Sequence, residues 1–216
     1  MNSPQTVSPL SNFENQIDAL IECGNLFHQR GWSVGTSSNY SIVVNQEPVE
    51  LVVTASGMDK GRLKKNDFVH LNSKGEATVV GQPKSSAETM LHVVLAKQPN
   101  VGSILHTHSI WGTLLSDHFF PEGGFEIAGY EMLKGLQGIN THESKVWVPI
   151  YENTQDIAHL AERVAAELSN PNSLMTHGFL IRNHGLYTWG GDVYSARRHI
   201  EVFEFLFEIL GRKIGF

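Results

Sequence analysis

A single cysteine, Cys23, excludes a disulfide framework within the chain. It falls in an amphipathic helical pattern, where it is expected to serve as a small buried apolar side chain in a reducing compartment. Basic clusters are also missing. No run of five or more Lys and Arg occurs, and the net charge of −6 comes without an acidic run, which argues against nucleic-acid partners and polybasic membrane attachment. No apolar stretch approaches the ~20 residues that span a bilayer. Residues 1–10 lack a basic segment followed by a hydrophobic one, so a cytoplasmic protein with no membrane partner is the expectation. Internal repeats, low-complexity tracts, a P-loop pattern and a glycine-rich dinucleotide fingerprint are absent as well.

What is present suits one core. With 216 residues, 41% of them hydrophobic, the chain reads as a single domain over residues 11–216 behind a flexible tail at residues 1–10. Ser11 and Glu14 have the form of a capping box, and Phe13, Ile17, Leu20, Ile21 and Phe27 follow at helical spacing as far as Gly31. Residues 41–44 and 49–54 predict one hairpin, and residues 67–71 and 77–80 a second. Helical periodicity returns over residues 85–98, 110–116 and 157–168, and again from about Asp192 to Leu210, where Gly211 is expected to stop the chain's last helix. Strands are predicted at 101–105, 145–150, 178–183 and 186–189. Hairpins outnumber crossovers, so the fold class is α/β of a three-layer, α+β-like kind: a mainly antiparallel central sheet flanked by helices.

The chemistry concentrates at the end of the strand that begins at Val101. Side chains two apart on a strand share a face, so His106 and His108 can reach one ion together. A catalytic zinc site takes three protein ligands and leaves a position open. His184, in a tight connection ahead of Gly185, and His177 both remain open as the third; His28, His92, His159 and His199 fall in helical patterns and read as surface or core-edge residues. Glu88 is either the far end of a second capping box begun by Ser85 or a carboxylate available for proton transfer. Glu131, among glycine, aromatic and apolar neighbours, is either a desolvated acid or base or a solvent-facing residue at a helix turn. Residues 35–41, 54–57 and 84–86 combine hydroxyls and amides at element junctions, which suggests a phosphate cradle built from separated loops.

Together, Gly35-Thr-Ser-Ser-Asn39, Ala55-Ser-Gly57, Ser86-Ala-Glu88, His106-Thr-His108 and Asn183-His-Gly185 resemble the zinc-dependent class II aldolase and adducin-like family, from about Phe13 to the last helix. The resemblance implies one Zn2+ per subunit held by His106, His108 and His184, phosphate contacts from Asn39, Ser56, Gly57 and Ser86, and an acid/base role at Glu88. Residues 131–135, 148–154 and 184–190 look most like the branch of that family that dehydrates a phosphorylated methylthio-ketose, in which the glutamate matching Glu131 transfers the proton. Some members of that branch carry cysteine where this chain has Glu88. Glu131 therefore ranks first for the base and Glu88 second, with a sugar-phosphate aldolase or epimerase as the alternative activity. The likeness also implies a homotetramer with sites at subunit boundaries, acting on a phosphorylated ketose.

Overall fold

Eight short strands rich in β-branched and aromatic residues, several in consecutive runs, are interspersed with five α-helices in the computed structural model, which describes residues 10–216. The strands are β1 (Asn39–Gln46), β2 (Val49–Thr54), β3 (Phe68–Leu71), β4 (Ser103–Thr107), β5 (Gly124–Ala128), β6 (Lys145–Tyr151), β7 (Gly178–Ile181) and β8 (Gly185–Gly190). The helices are α1 (Glu14–Gln29), α2 (Thr89–Ala96), α3 (Ile110–His118), α4 (Ile157–Leu168) and α5 (Val193–Ile214). One sheet contains all eight strands in the order β3-β2-β1-β4-β8-β7-β6-β5, and only β6 and β7 run parallel. The expected mainly antiparallel sheet is therefore the one observed.

Both faces of the sheet are apolar, because alternate residues on each strand meet a different helical layer. On one face Val52, Leu105, Leu180 and Leu186 pack with Ile17, Leu20 and Phe27 of α1, Leu115 of α3, and Phe203 and Phe207 of α5. The neighbours Leu51, Val53, Ile104, Phe179 and Tyr187 face Leu91 and Leu95 of α2 and Leu160 and Val164 of α4. Cys23 lies in the first layer, and burial pushes its thiol up to about 12, as expected of an inert core residue.

Several local readings change. Ser11 lies in a short 3-10 turn, Ser11–Phe13, and Phe13 caps α1 without a side-chain bond, so the predicted box does not form. Of residues 77–80, only Ala77 bridges to Leu71, and Val80 is fully exposed; polar neighbours leave that segment no face to bury. Strand β5 lies inside the stretch that glycines made look irregular. Helix α5 runs through Gly211, which has no side chain so that the Trp111 indole can rest against it, and ends instead at left-handed Gly215. The predicted tail at residues 1–10 falls, except for Leu10, outside the described residues; Leu10 itself packs into the core. No helix among the described residues is long and apolar enough to cross a membrane.

Candidate metal centre

The register of three adjacent strands sets out the site in a row. Asn39 of β1 pairs across to His106 of β4, and His106 pairs in turn with Tyr187 of β8, so all three side chains leave the same face of the sheet. The Tyr187 ring stacks on the His106 imidazole at 4.0 Å between centroids. His108 follows two residues later, where its amide donates to the Trp32 carbonyl and holds the chain past the strand end. His184 arrives from the β7–β8 connection: Asn183 takes the left-handed conformation, and the His184 amide donates to the Ile181 carbonyl. Gly185 completes the approach, since a Cβ there would overlap the Thr107 carbonyl.

These three histidines form a cluster that could hold a metal ion. Their ligand nitrogens all lie within 4.8 Å of one another. His106 Nε2 stands 2.8 Å from His108 Nε2 and 3.4 Å from His184 Nε2, against the ~3.3 Å that a tetrahedral ion at 2.0–2.1 Å from each nitrogen would impose. His106 Nδ1 donates to the Leu186 carbonyl at 2.9 Å, which leaves the lone pair of a neutral ring on Nε2, toward its partners. Burial pushes the His106 ring well below its ordinary value and His108 down to about 4, so both are neutral at pH 7. Three imidazole nitrogens converging on one point form a donor set that fits a divalent ion with a position to spare. His177 takes no part: its Nε2 donates to the Gln137 carbonyl and its ring meets His199. Of the two candidates, His184 and not His177 is the one brought up to His106 and His108.

Glu88 stands beside the cluster. Its Oε1 is 3.1 Å from His184 Nε2 and its Oε2 is 3.5 Å from His106 Nε2. The predicted Ser85–Glu88 capping box is absent; Glu88 occupies the N-cap of α2 with its carboxylate turned into the site, accepting from Asn39 Nδ2 at 2.7 Å and from the Tyr187 hydroxyl at 3.0 Å. Burial by itself raises such an acid, but His106, His184 and the Asn39 amide together outweigh it and hold the carboxyl well below its usual range.

Above these groups opens a cleft of about 170 Å3 lined by Thr36, Ser38, Asn39, Ser56, Gly57 and Ser86, with Glu88, His108 and His184. All four residues expected to contact phosphate thus border the same space as His108 and His184. Lys60, which sequence reading passed over, is buried beneath it; Nζ donates to the Met58 carbonyl at 2.8 Å and lies 3.5 Å from the Thr36 carbonyl, tying two of the cleft's loops together. Burial brings this ammonium down to about 8. A second cleft shares Ser56, Ser86, Glu88 and His184 and is flanked by Met90, Ile157 and Ala158.

Glu131 is placed differently. It opens a 3-10 turn, Glu131–Gly135, with a side chain 68% exposed and paired with Lys134 and with His142 at 3.2 Å. The Lys134 contact, seconded by His142, lowers its carboxyl, so of the two expectations for Glu131 the solvent-facing one describes this chain and the desolvated one does not. Two helical histidines also depart from expectation. His92 and His199 are buried, whereas His28 and His159 are surface residues as predicted.

A three-layer fold with a histidine cluster at the end of its central strand defines a metal-centred class, and the chain belongs to the class II aldolase and adducin family: the family's model, described as the class II aldolase and adducin N-terminal domain, matches residues 18–210. Within it the chain is 42% identical over 205 residues to the methylthioribulose-1-phosphate dehydratase of Marinobacter nauticus, covering 92% of this chain and 94% of that protein. It is 44% identical over 197 residues to the enzyme of the same name from Pseudomonas fluorescens, covering 90% and 91%. Among solved structures, an L-fuculose 1-phosphate aldolase superposes with a TM-score of 0.73 at 20% identity, covering 94% of this chain and 88% of that one. The L-fuculose-1-phosphate aldolase of Thermus thermophilus gives 0.71 at 19%, covering 93% and 96%. These structural likenesses establish the shared fold.

Proposed function

We propose that this protein is a zinc-dependent methylthioribulose-1-phosphate dehydratase of methionine salvage, working in the cytoplasm as a homotetramer whose residues 11–216 form one catalytic domain. The observation that carries the reading is the cluster of His106, His108 and His184 beside Glu88, at the floor of a cleft lined with hydroxyls and amides, in a chain so similar to enzymes of that name. Zn2+ bound by the three imidazoles would supply Lewis-acid polarisation of the ketose carbonyl. Ser56, Gly57, Ser86 and Asn39 border the space assigned to the phosphate. Met90 and Ile157 offer the methylthio end an apolar wall in the adjoining cleft.

Dehydration removes the proton at C3 and the hydroxyl at C4, and ketonisation then yields the diketone phosphate and water. Two proton-handling groups suit that sequence. Glu88 lies at the cluster within its own chain, and Glu131, exposed on the surface, would serve a neighbouring subunit's site and take the C3 proton there.

Incubation of the purified protein with methylthioribulose 1-phosphate, and separately with fuculose 1-phosphate and ribulose 5-phosphate, tests the reading. Diketone absorbance with the methylthio sugar alone is the expected result. Aldehyde release from fuculose phosphate, with no diketone from the methylthio sugar, would replace it with an aldolase.

A further inference from the structure

Behind Glu88 a chain of side chains leads from Asn39, on the cleft, to His92 and Ser41, two residues that the proposed reaction does not employ. His92, on the second turn of α2, is completely buried, yet both ring nitrogens have partners: Nδ1 meets Ser41 Oγ at 2.7 Å, and Nε2 meets Asn39 Oδ1. Asn39 passes the connection on, since its Nδ2 reaches Glu88 Oε2 at 2.7 Å and Ser86 Oγ at 3.2 Å. The proton on each link is fixed by the last acceptor. An ionised carboxylate only accepts, so the Asn39 amide must present NH2 to Glu88 and its carbonyl oxygen to His92. His92 Nε2 must then carry hydrogen, and its bare Nδ1 must accept from the Ser41 hydroxyl. Burial holds this ring down at about 4, so it is neutral and has one hydrogen to place.

We propose that His92 is a positioning residue: as the Nε2–H tautomer it locks the Asn39 amide with its NH2 toward Glu88, and so orients the Glu88 carboxylate against the metal-binding histidines. If the amide flipped, its oxygen would face the carboxylate, two acceptors with no hydrogen between them. Ser41 sets the far end, because β1 holds it in register with Ile104 of β4, below the row that contains Asn39 and His106. The four-residue spacing from Glu88 to His92 places both on one side of α2, toward the sheet. The catalytic part of this inference rests on the dehydratase reading; the assignment of the tautomer does not.

Two measurements test it. In protein labelled with 15N-histidine, long-range 15N–1H correlation at pH 7 is expected to show His92 protonated at Nε2 and bare at Nδ1; the reverse tautomer would overturn the proposal. On the purified zinc enzyme, His92→Phe should lower kcat about 10–100-fold with metal content unchanged, as removal of an orienting outer partner does. Combined with Asn39→Ala it should cost no more than Asn39→Ala alone, because its effect is routed through that amide. Multiplying effects would overturn the route. Should His92→Phe fail to fold, Ser41→Ala, which removes one hydroxyl, should lower kcat several-fold and be silent in the Asn39→Ala background; independent effects would again count against the proposal. A wild-type protein inert toward methylthioribulose 1-phosphate would refute the dehydratase reading alone. The coupling of Ser41 and His92 to Asn39 would then be read from unfolding free energies.

Discussion

At residue 106 an imidazole has one nitrogen committed to the Leu186 carbonyl and the other facing two more imidazoles, a placement that could hold a cation. His106→Ala is expected to weaken zinc binding by more than about 100-fold, measured as metal per chain after dialysis, with the fold intact by circular dichroism. Glu131→Gln should keep full metal occupancy and lose about 10²–10⁴ in kcat; retention of full activity would transfer the proton at C3 to Glu88. Buried histidines also set an acid limit. His92 and His199 lie near 4 in the folded protein against 6.5 for a free imidazole, so below pH 6.5 the unfolded chain takes up protons that the native state refuses. Their stability contribution is complete above pH 6.5 and falls away as the pH drops toward 4. Glu204, raised to about 7 by burial, opposes them, since its contribution is lost as the pH rises through 7. Urea titrations of the metal-free protein from pH 6.5 to 4.5 should show stability falling with pH, and His199→Gln should flatten that slope.

Among the elements, the β7–β8 connection and β4 are coupled through Gly185. Its lack of a side chain lets the turn bearing His184 lie against the Thr107 carbonyl and the His106 ring, so Gly185→Ala would push His184 away from His106 and His108. The expected outcome is loss of zinc affinity together with a drop of several degrees in Tm, both measurable on one preparation. Helix α4 contributes differently. Its first residue, Ile157, flanks the second cleft with Met90 of α2, and Ile157→Ser should raise KM for methylthioribulose 1-phosphate about 10-fold while leaving kcat nearly unchanged, the signature of lost apolar contact at a substrate tail. These elements were legible to different degrees. Period-two and period-3.6 patterns located most strands and helices, but the glycines around β5 obscured a strand whose partner, β6, supplies its hydrogen bonds from well beyond any local window. Gly211 looked like a stop because nothing local announces Trp111.

For the whole molecule, the position of Glu131 makes a prediction about assembly. Exposed in its own chain, paired there with Lys134 and His142 and absent from the lining of its own histidine cleft, it acts in the proposed homotetramer at a neighbour's centre. Co-expression of His106→Ala chains with Glu131→Gln chains should therefore restore part of the activity that each lacks alone, since some boundaries would combine an intact metal site with an intact glutamate. Absence of recovery in mixed oligomers, verified by mass spectrometry, would confine catalysis to one chain and leave Glu88 as its carboxylate.

From the order of its residues alone, this protein's layered antiparallel architecture, its H-x-H pair and its hydroxyl-rich loops could be read, because hydrophobic period and short-range spacing are local quantities. Strand register was not among them. It took the pairing of β1, β4 and β8 to set Asn39, His106 and Tyr187 in one row, to bring His184 rather than His177 beside the pair, and to turn the Glu88 carboxylate from capping its helix toward the cluster. The same packing buried His92 and exposed Glu131, since a side chain's environment is made by segments far away in sequence and no window along the chain contains them.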